Sequence, residues 1–187
     1  MITFSSLAFS WQANAATRHV PSQYPTIQAA INKSSNGDEV VIANGVYREN
    51  IEVVNKYITI RGNTDRQSTV LAGNPGKTPI MIQNVPAVAG AKVVIERLKK
   101  TCGNAPDGQG GGITIANNAD PIIRNNTIEH NSSKHGGGIL VFNNSNPLIT
   151  ENVIHSNYAQ HFGGGIFAVK NSSPTISANT ITHNSVN

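Results

Sequence analysis

Hydrophobic residues along this chain occur in short β-branched runs that turn residues separate. Pairs such as Asn44-Gly45 and Gly62-Asn63 divide one run from the next. β-branched residues favour strands, whereas Gly and Asn favour turns. The pattern therefore predicts short strands at residues 40–42, 51–54, 57–60, 69–71, 80–82 and 93–95. None of these runs is long enough for a β-sandwich strand with regular alternation.

One segment near the start of the chain has a helical pattern instead. Thr26 is a suitable N-cap residue. Ile27, Ala30 and Ile31 then fall on one helical face. The Asn-Gly pair at residues 36–37 is an end signal. We therefore expect a short helix ahead of the strands.

The second half of the chain repeats one motif. The sequence Gly-Gly-Gly-Ile begins at Gly110, Gly136 and Gly163, so successive repeats are 26 and 27 residues apart. Alignment of the repeats gives columns of identical residues: Ile113/Ile139/Ile166, Asn118/Asn144/Asn171, Pro121/Pro147/Pro174, Ile123/Ile149/Ile176, Asn126/Asn152/Asn179, Ile128/Ile154/Ile181 and Asn131/Asn157/Asn184.

These columns predict a solenoid in which one repeat forms one coil. Parallel strands of successive coils stack about 4.8 Å apart, so equivalent side chains lie directly above one another. The Ile columns would form continuous apolar stacks in the interior, and the Asn columns would form ladders of hydrogen-bonded amides in semi-buried turns. Gly supplies positive φ and close approach at a corner, and Pro fixes φ just before a strand.

Composition and charge agree with a repeat fold and exclude some function classes. Charged residues make up 13% of the 187 residues and aromatic residues 5%, which is low for a layered globular domain. The net charge of +4 comes with no long basic run and no interleaved aromatic residues, so we expect no nucleic-acid partner. Cys102 is the only cysteine, so the chain has no internal disulfide.

The N-terminus has the pattern of a secretory signal. Residues 2–11 are mostly apolar, and Ala13 and Ala15 form an Ala-x-Ala cleavage site. We therefore predict a signal peptide at residues 1–15, a single domain at residues 16–187, and a secreted or cell-surface location. The apolar stretch is too short to span a bilayer, so no membrane span is expected.

The motifs resemble those of the right-handed parallel β-helix superfamily, the pectin-lyase-like fold. Residues 24–51, YPTIQAAINKSSNGDEVVIANGVYRENI, look like its N-terminal capping helix and first coil, and the Gly-Gly-Gly-Ile repeats look like its later coils. The resemblance covers roughly residues 20–187. It implies an all-β, right-handed parallel β-helix with a short N-terminal helix. The superfamily contains polysaccharide lyases, epimerases, adhesins and inert surface proteins, so the fold does not give the function.

The strongest outward cluster of chemical groups lies in one column of the repeats. Glu129, His155 and Thr182 occupy equivalent positions, and adjacent coils would bring Glu129 within hydrogen-bonding reach of His155. Arg124 lies one strand away in the same repeat. A carboxylate, an imidazole and a guanidinium group can bind or deprotonate a uronic acid, so Glu129, His155 and Arg124 are the candidate catalytic residues. The competing interpretation is a solvated surface with one incidental ion pair.

Three further features lead to specific expectations. His135 and His161 align just before Gly triplets, which suggests turn histidines, since no third metal ligand is apparent. Phe142 and Phe167 are expected to pack inward. If Leu98 points inward, so does Lys100, and we expect a bulge or a side chain that reaches the surface, because an unpaired buried ammonium is costly.

Three functions remain open from the sequence. The first is a secreted β-helix domain that binds polysaccharide or a cell surface without catalysis. The second is a polysaccharide lyase or epimerase that acts on uronic-acid polymers, with calcium as a possible cofactor if it is a lyase. The third is a structural repeat fragment of a larger adhesin. Because no closing helix follows the last repeat, we also expect end-to-end self-association or continuation in a longer chain.

Overall fold

Short parallel strands form the walls of a solenoid. The computed structural model describes residues 15–85, 88–105 and 110–187. Strands β1 to β22 belong to four sheets, and every strand pair is parallel. From β2 onward, consecutive strands lie in different sheets, so the chain passes from wall to wall and returns to the same wall one coil later.

The two longer sheets form the walls on which the candidate catalytic residues lie. The seven-stranded sheet contains β1 (Thr17–Val20), β2 (Glu39–Ile42), β5 (Thr59–Gly62), β8 (Val94–Glu96), β12 (Ile122–Arg124), β16 (Leu148–Thr150) and β20 (Thr175–Ser177). The six-stranded sheet contains β3 (Gly45–Arg48), β6 (Thr69–Ala72), β9 (Lys99–Thr101), β13 (Thr127–Glu129), β17 (Val153–His155) and β21 (Thr180–Thr182).

The two shorter sheets complete the coils. The five-stranded sheet contains β4 (Ile51–Val54), β7 (Ile80–Gln83), β11 (Ile113–Ala116), β15 (Ile139–Phe142) and β19 (Ile166–Ala168). The four-stranded sheet contains β10 (Asn104–Ala105), β14 (Ser132–His135), β18 (Tyr158–Phe162) and β22 (Ser185–Val186).

The predicted isoleucine columns are confirmed by the register of the strands. Ile139 lies opposite both Ile113 and Ile166 in adjacent coils. The columns through Ile123 and Ile128 continue in the same way into the next two coils. Most of these side chains are completely buried and form the core of the solenoid. In the last described coil, Ile176 and Ile181 are 46% and 44% exposed, because each has a register partner on one side only.

The asparagine columns form the predicted amide ladders at two corners. The side-chain amide of Asn126 donates to Oδ1 of Asn152 at 3.0 Å, and that of Asn152 donates to Oδ1 of Asn179 at 3.0 Å. A parallel ladder runs through Asn131, Asn157 and Asn184. The third Asn column, Asn118/Asn144/Asn171, has left-handed backbone angles instead.

The glycine triplets combine the two roles expected of glycine. Gly136 and Gly163 have φ values of 63° and 61°, which favour glycine. At Gly137, a Cβ atom would collide with the carbonyl oxygens of Gly164 and Tyr158. The first glycine of these triplets therefore turns the chain, and the second allows adjacent coils to approach closely.

Helix α1 (Ile27–Lys33) covers the first coil. Oγ1 of Thr26 accepts a hydrogen bond from the backbone N–H of Ala29 at 3.1 Å, which confirms the predicted N-cap. The buried face of the helix packs against β1, β2 and β4. The helix ends at Lys33, three residues before the predicted Asn-Gly end signal, because Ser34 is already extended.

Four expectations about local structure were wrong. The predicted strand at residues 57–60 begins two residues later, as β5, and β3 begins at Gly45, where we had expected a turn. Phe142 and Phe167 point outward, because their neighbours Val141 and Ile166 occupy the inward positions of β15 and β19. Lys100 neither forms a bulge nor reaches the surface. It is completely buried, because β9 stays in register with both flanking strands.

The predicted signal peptide, residues 1–15, lies outside the described residues apart from Ala15. The boundary of the domain at residue 16 and the end-to-end association stay predictions. In the described part of the chain, no helix is long and apolar enough to cross a membrane.

Candidate functional site

The outer face of the six-stranded sheet brings Glu129 and His155 together. The two residues are register partners on β13 and β17, and Nε2 of His155 lies 2.9 Å from Oε2 of Glu129. This distance confirms the register that the repeat alignment predicted. Thr182 follows in the same column on β21.

Lys99 is the second main partner of Glu129, and the sequence did not reveal it. Nζ of Lys99 lies 2.7 Å from Oε1 of Glu129, while His130 lies farther away at 3.5 Å. The Glu129 side chain is only 12% exposed. Burial acts to raise the pKa of Glu129, but the hydrogen bond and charge of Lys99, together with the charges of His155 and His130, outweigh burial and hold the pKa below its usual value.

Arg124 lies apart from this pair, on the outer face of the seven-stranded sheet. Its Nε donates to Oε2 of Glu96 at 2.6 Å, and Glu96 also pairs with Arg97 at 3.1 Å. No contact joins Arg124 to Glu129 or His155 among the described residues. The structure therefore assembles two of the three candidate catalytic residues and places the third in a separate ion-pair cluster around Glu96.

A loop from an earlier coil lies over the corner between these two sheets. Nε2 of Gln67 donates to Oγ1 of Thr127 at 2.9 Å, and Nη1 of Arg66 donates to the carbonyl oxygen of Glu151 at 3.3 Å. These residues are separated by 60 and 85 positions in the sequence. The loop therefore ties coils together beside the Glu129 cluster.

A second outward cluster contains aromatic rings. The ring centroids of His135, Phe162 and Phe167 are separated by 5.5, 5.5 and 5.8 Å, with angles between the ring planes of 16°, 17° and 33°. In a linear stack, the outer two rings would be about twice as far apart as the neighbouring ones. The three centroids therefore form a compact triangle of offset, partly stacked rings, and we call these three residues the aromatic raft.

The raft forms one wall of an open groove of about 380 Å³. Phe162 is 56% exposed, so the raft presents apolar surface to solvent. The groove is lined, in addition to the raft, by Leu140, Phe142, Val169 and Lys170. Nζ of Lys170 lies 5.9 Å from the ring centroid of Phe142, which is a cation–π distance. The lining residues therefore combine a broad apolar surface with one cation and no carboxylate.

His135 also lies close to His161, the residue before its register partner Phe162. The His135 and His161 rings are 5.4 Å apart, although the two residues are not the register partners that the alignment of the repeats had suggested. Burial lowers the pKa of His135, and the nearby charges of His161 and Lys134 lower it further. Among the described residues, no group of three or more His, Cys, Asp and Glu side chains is placed to hold a metal ion.

The raft is a candidate feature that the sequence analysis did not assemble, although part of the signal was present. In β15, Ile139 and Val141 are buried, so strand alternation alone places Leu140 and Phe142 on the outer face. The same alternation places Phe167 outward next to Ile166. Alternation alone does not predict the contact between His135 and Phe162. It depends on the pairing of β14 with β18, whose register shifts between Ser133 and His135 so that His135 lies opposite Phe162.

Comparison with known proteins agrees with this architecture. Residues 23–187 match the family model described as "Right handed beta helix region". No curated protein and no solved structure matches the chain at a significant level. The match covers most of the chain, including α1, the asparagine ladders, the Glu129 cluster and the aromatic raft. The chain therefore belongs to the right-handed β-helix family.

Proposed function

We propose that this protein is an exported β-helix domain that binds a polysaccharide or a cell-surface glycan through its outer face, without catalysis of its own. The aromatic raft carries the proposal. Aromatic rings offer flat, rigid, apolar surface at a small cost in conformational entropy. The C–H face of a pyranose ring matches such a surface, and a chain of sugars would extend along the groove towards Lys170.

The arrangement of the groove supports a polymer rather than a deeply enclosed small molecule. The groove is open along the surface, and Phe162 is the most exposed of its rings. Small-molecule sites bury most of the surface of their ligand, and this groove lies open instead. A rigid solenoid wall also fixes the spacing of the rings, which favours repeated contacts with successive sugars.

Binding to a panel of soluble oligosaccharides, measured by a glycan array and then by calorimetry, tests this proposal. Phe162→Ala removes the most exposed ring and should weaken binding about tenfold, which corresponds to about 1.4 kcal/mol. Tyr158→Ala is the matched control, because Tyr158 is an exposed aromatic residue on the same strand outside the raft. Equal affinities for both variants and the wild type, or no binding to any glycan, would contradict the proposal.

The second candidate function is a polysaccharide lyase or epimerase, and the Glu129–His155 pair favours it. A carboxylate that holds an imidazole at 2.9 Å is an arrangement suited to general base catalysis. Arg124 lies on a different sheet from this pair, so it would contact a substrate held by Glu129 and His155 only if the substrate extended across both sheets. The donor set around Glu129 does not fit calcium, since an ammonium group and imidazoles surround the carboxylate, whereas calcium takes oxygen ligands.

An absorbance assay for unsaturated products, run on pectin and alginate, separates binding from lyase activity, and proton NMR of the incubated polymer detects an epimerase, which forms no unsaturated product. The binding proposal predicts no product above background for the wild-type protein. Product formation that disappears in Glu129→Gln but persists in Phe162→Ala would establish the enzyme instead.

A further inference from the structure

Lys100 occupies a position that an apolar residue fills in every neighbouring coil. It is the central residue of β9, and its register partners are Leu71 on β6 and Ile128 on β13. The column continues through Ile154 and Ile181. Lys100 is 0% exposed, and within the described part of the chain its Nζ atom has no hydrogen-bond partner.

Among the described residues, neither β9 itself nor the two strands that flank it turn a charged group towards the buried amine. Strand β6 carries no titratable residue. On β13, the only one is Glu129, which points outward and pairs there with Lys99. On β9 itself, Lys99 also faces outward, and Cys102 follows at an exposed corner. In its column, the Lys100 side chain therefore lies between the aliphatic side chains of Leu71 and Ile128.

The surroundings determine which protonation state the folded protein tolerates. A buried ammonium ion without a partner is far more costly than a buried neutral amine. Burial therefore lowers the pKa of Lys100 well below its usual value. In the unfolded or opened chain, water solvates the same group, and its pKa returns to about 10.5.

We infer that Lys100 makes the contact between β9 and β13 a proton-sensitive weak point of the solenoid, where acidification opens the coil that precedes the first glycine triplet. Opening exposes the amine, which then takes up a proton. The inference concerns the fold and is independent of the proposed glycan binding. An apolar residue at this position would remove the proton dependence.

The direction of the effect follows from the number of bound protons. Between the pKa of the folded state and about 10.5, the opened state holds one more proton than the folded state. Each unit of decrease in pH within this window shifts the equilibrium about tenfold towards the opened state, or about 1.4 kcal/mol. Below the folded-state pKa, both states are protonated and the dependence stops.

Amide hydrogen exchange at β9 and β13, corrected for the intrinsic pH dependence of exchange, tests this inference. The wild-type protein is compared with Lys100→Met, which keeps a long unbranched side chain but cannot be protonated. Lys77→Met is the control, because Lys77 is an exposed lysine in a turn. Global unfolding by urea is measured on the same samples, from about pH 10 down to about pH 6.

The opening constant of the wild-type amides should rise about tenfold per pH unit relative to Lys100→Met as the pH falls, until the folded-state pKa is reached. Lys77→Met should follow the wild type. Parallel pH profiles for the wild type and Lys100→Met would overturn the inference. An NMR titration of the wild-type Lys100 side chain provides an independent readout, and titration of its Cε resonance near pH 10.5 would overturn the inference as well.

Discussion

The middle of the first asparagine ladder provides a sharp test of what holds the coils together. Asn152 is almost completely buried, and its Nδ2 lies 2.8 Å from the carbonyl oxygen of Ile123, 2.9 Å from that of Thr150 and 3.0 Å from Oδ1 of Asn179. Its Oδ1 accepts hydrogen bonds from the backbone N–H and the side-chain amide of Asn126, both at 3.0 Å. The amide thus joins three successive coils.

Asn152→Ala should lower the free energy of unfolding by about 2–4 kcal/mol. The largest contribution is the backbone N–H of Asn126, which is buried and loses its acceptor, at about 1–3 kcal/mol. The loss of the other hydrogen bonds of the Asn152 side chain lowers the free energy of unfolding by about 1 kcal/mol more. Asn152→Asp keeps the acceptor but places a carboxylate next to carbonyl oxygens and Oδ1 of Asn179, so it should destabilise more at neutral pH than at acidic pH.

Urea unfolding followed by far-ultraviolet circular dichroism measures both changes. The control is Asn187→Ala, because Asn187 is exposed and its hydrogen bond to Ala159 uses the backbone N–H, which alanine retains. The control should leave the midpoint unchanged. If Asn152→Ala and Asn187→Ala gave equal midpoints at equal slopes, the ladder would not be the source of stability that we describe.

Two further predictions concern other positions of the repeats. Gly137→Ala should lower the free energy of unfolding by about 3 kcal/mol, because the new methyl group collides with the carbonyl oxygens of Gly164 and Tyr158. Gly165→Ala should lower it less, since its methyl group meets only side chains, the nearest being that of Asn184 at 3.1 Å. Equal losses for the two variants would argue against backbone contact as the cause. The lowered pKa of Glu129 means that its ion pairs stabilise the fold above its ordinary pKa of about 4.5, and that this contribution disappears as the pH falls through the folded-state pKa. Glu129→Gln should therefore reduce the loss of unfolding free energy at acidic pH by less than about 1 kcal/mol. Urea midpoints measured across that pH range test this. A variant whose stability falls with pH as steeply as that of the wild type would contradict the assignment.

Sequence periodicity was sufficient to predict the solenoid because stacking in register makes equivalent positions neighbours. Identical residues that recur at spacings of 26 and 27 become neighbours in space only if successive coils stack on one another. The isoleucine stacks, the asparagine ladders and the Glu129–His155 contact all follow from that one relation. The N-cap at Thr26 was also predictable from the sequence, because it depends on a few consecutive residues.

Tertiary structure alone decided the features that depend on contacts outside a column. Arg124 and Glu129 are close in sequence, yet the turn between β12 and β13 sends them to different sheets. Lys99 reaches Glu129 because its flexible side chain extends along the outer face from the preceding coil. That coil lacks the Gly-Gly-Gly-Ile motif, so the alignment of the repeats did not include Lys99. The aromatic raft formed because a register shift between β14 and β18 made His135 and Phe162 partners.

Lys100 shows most clearly where sequence reasoning and structure separate. The sequence predicted that alternation would turn this side chain inward, and the cost of a buried ammonium favoured a bulge or an escape to the surface. In the structure, the register of β9 with Leu71 and Ile128 is kept instead, so the side chain stays inside. The sequence determined the direction of the side chain because alternation is local, whereas its burial depends on the register that β9 keeps with both neighbouring coils.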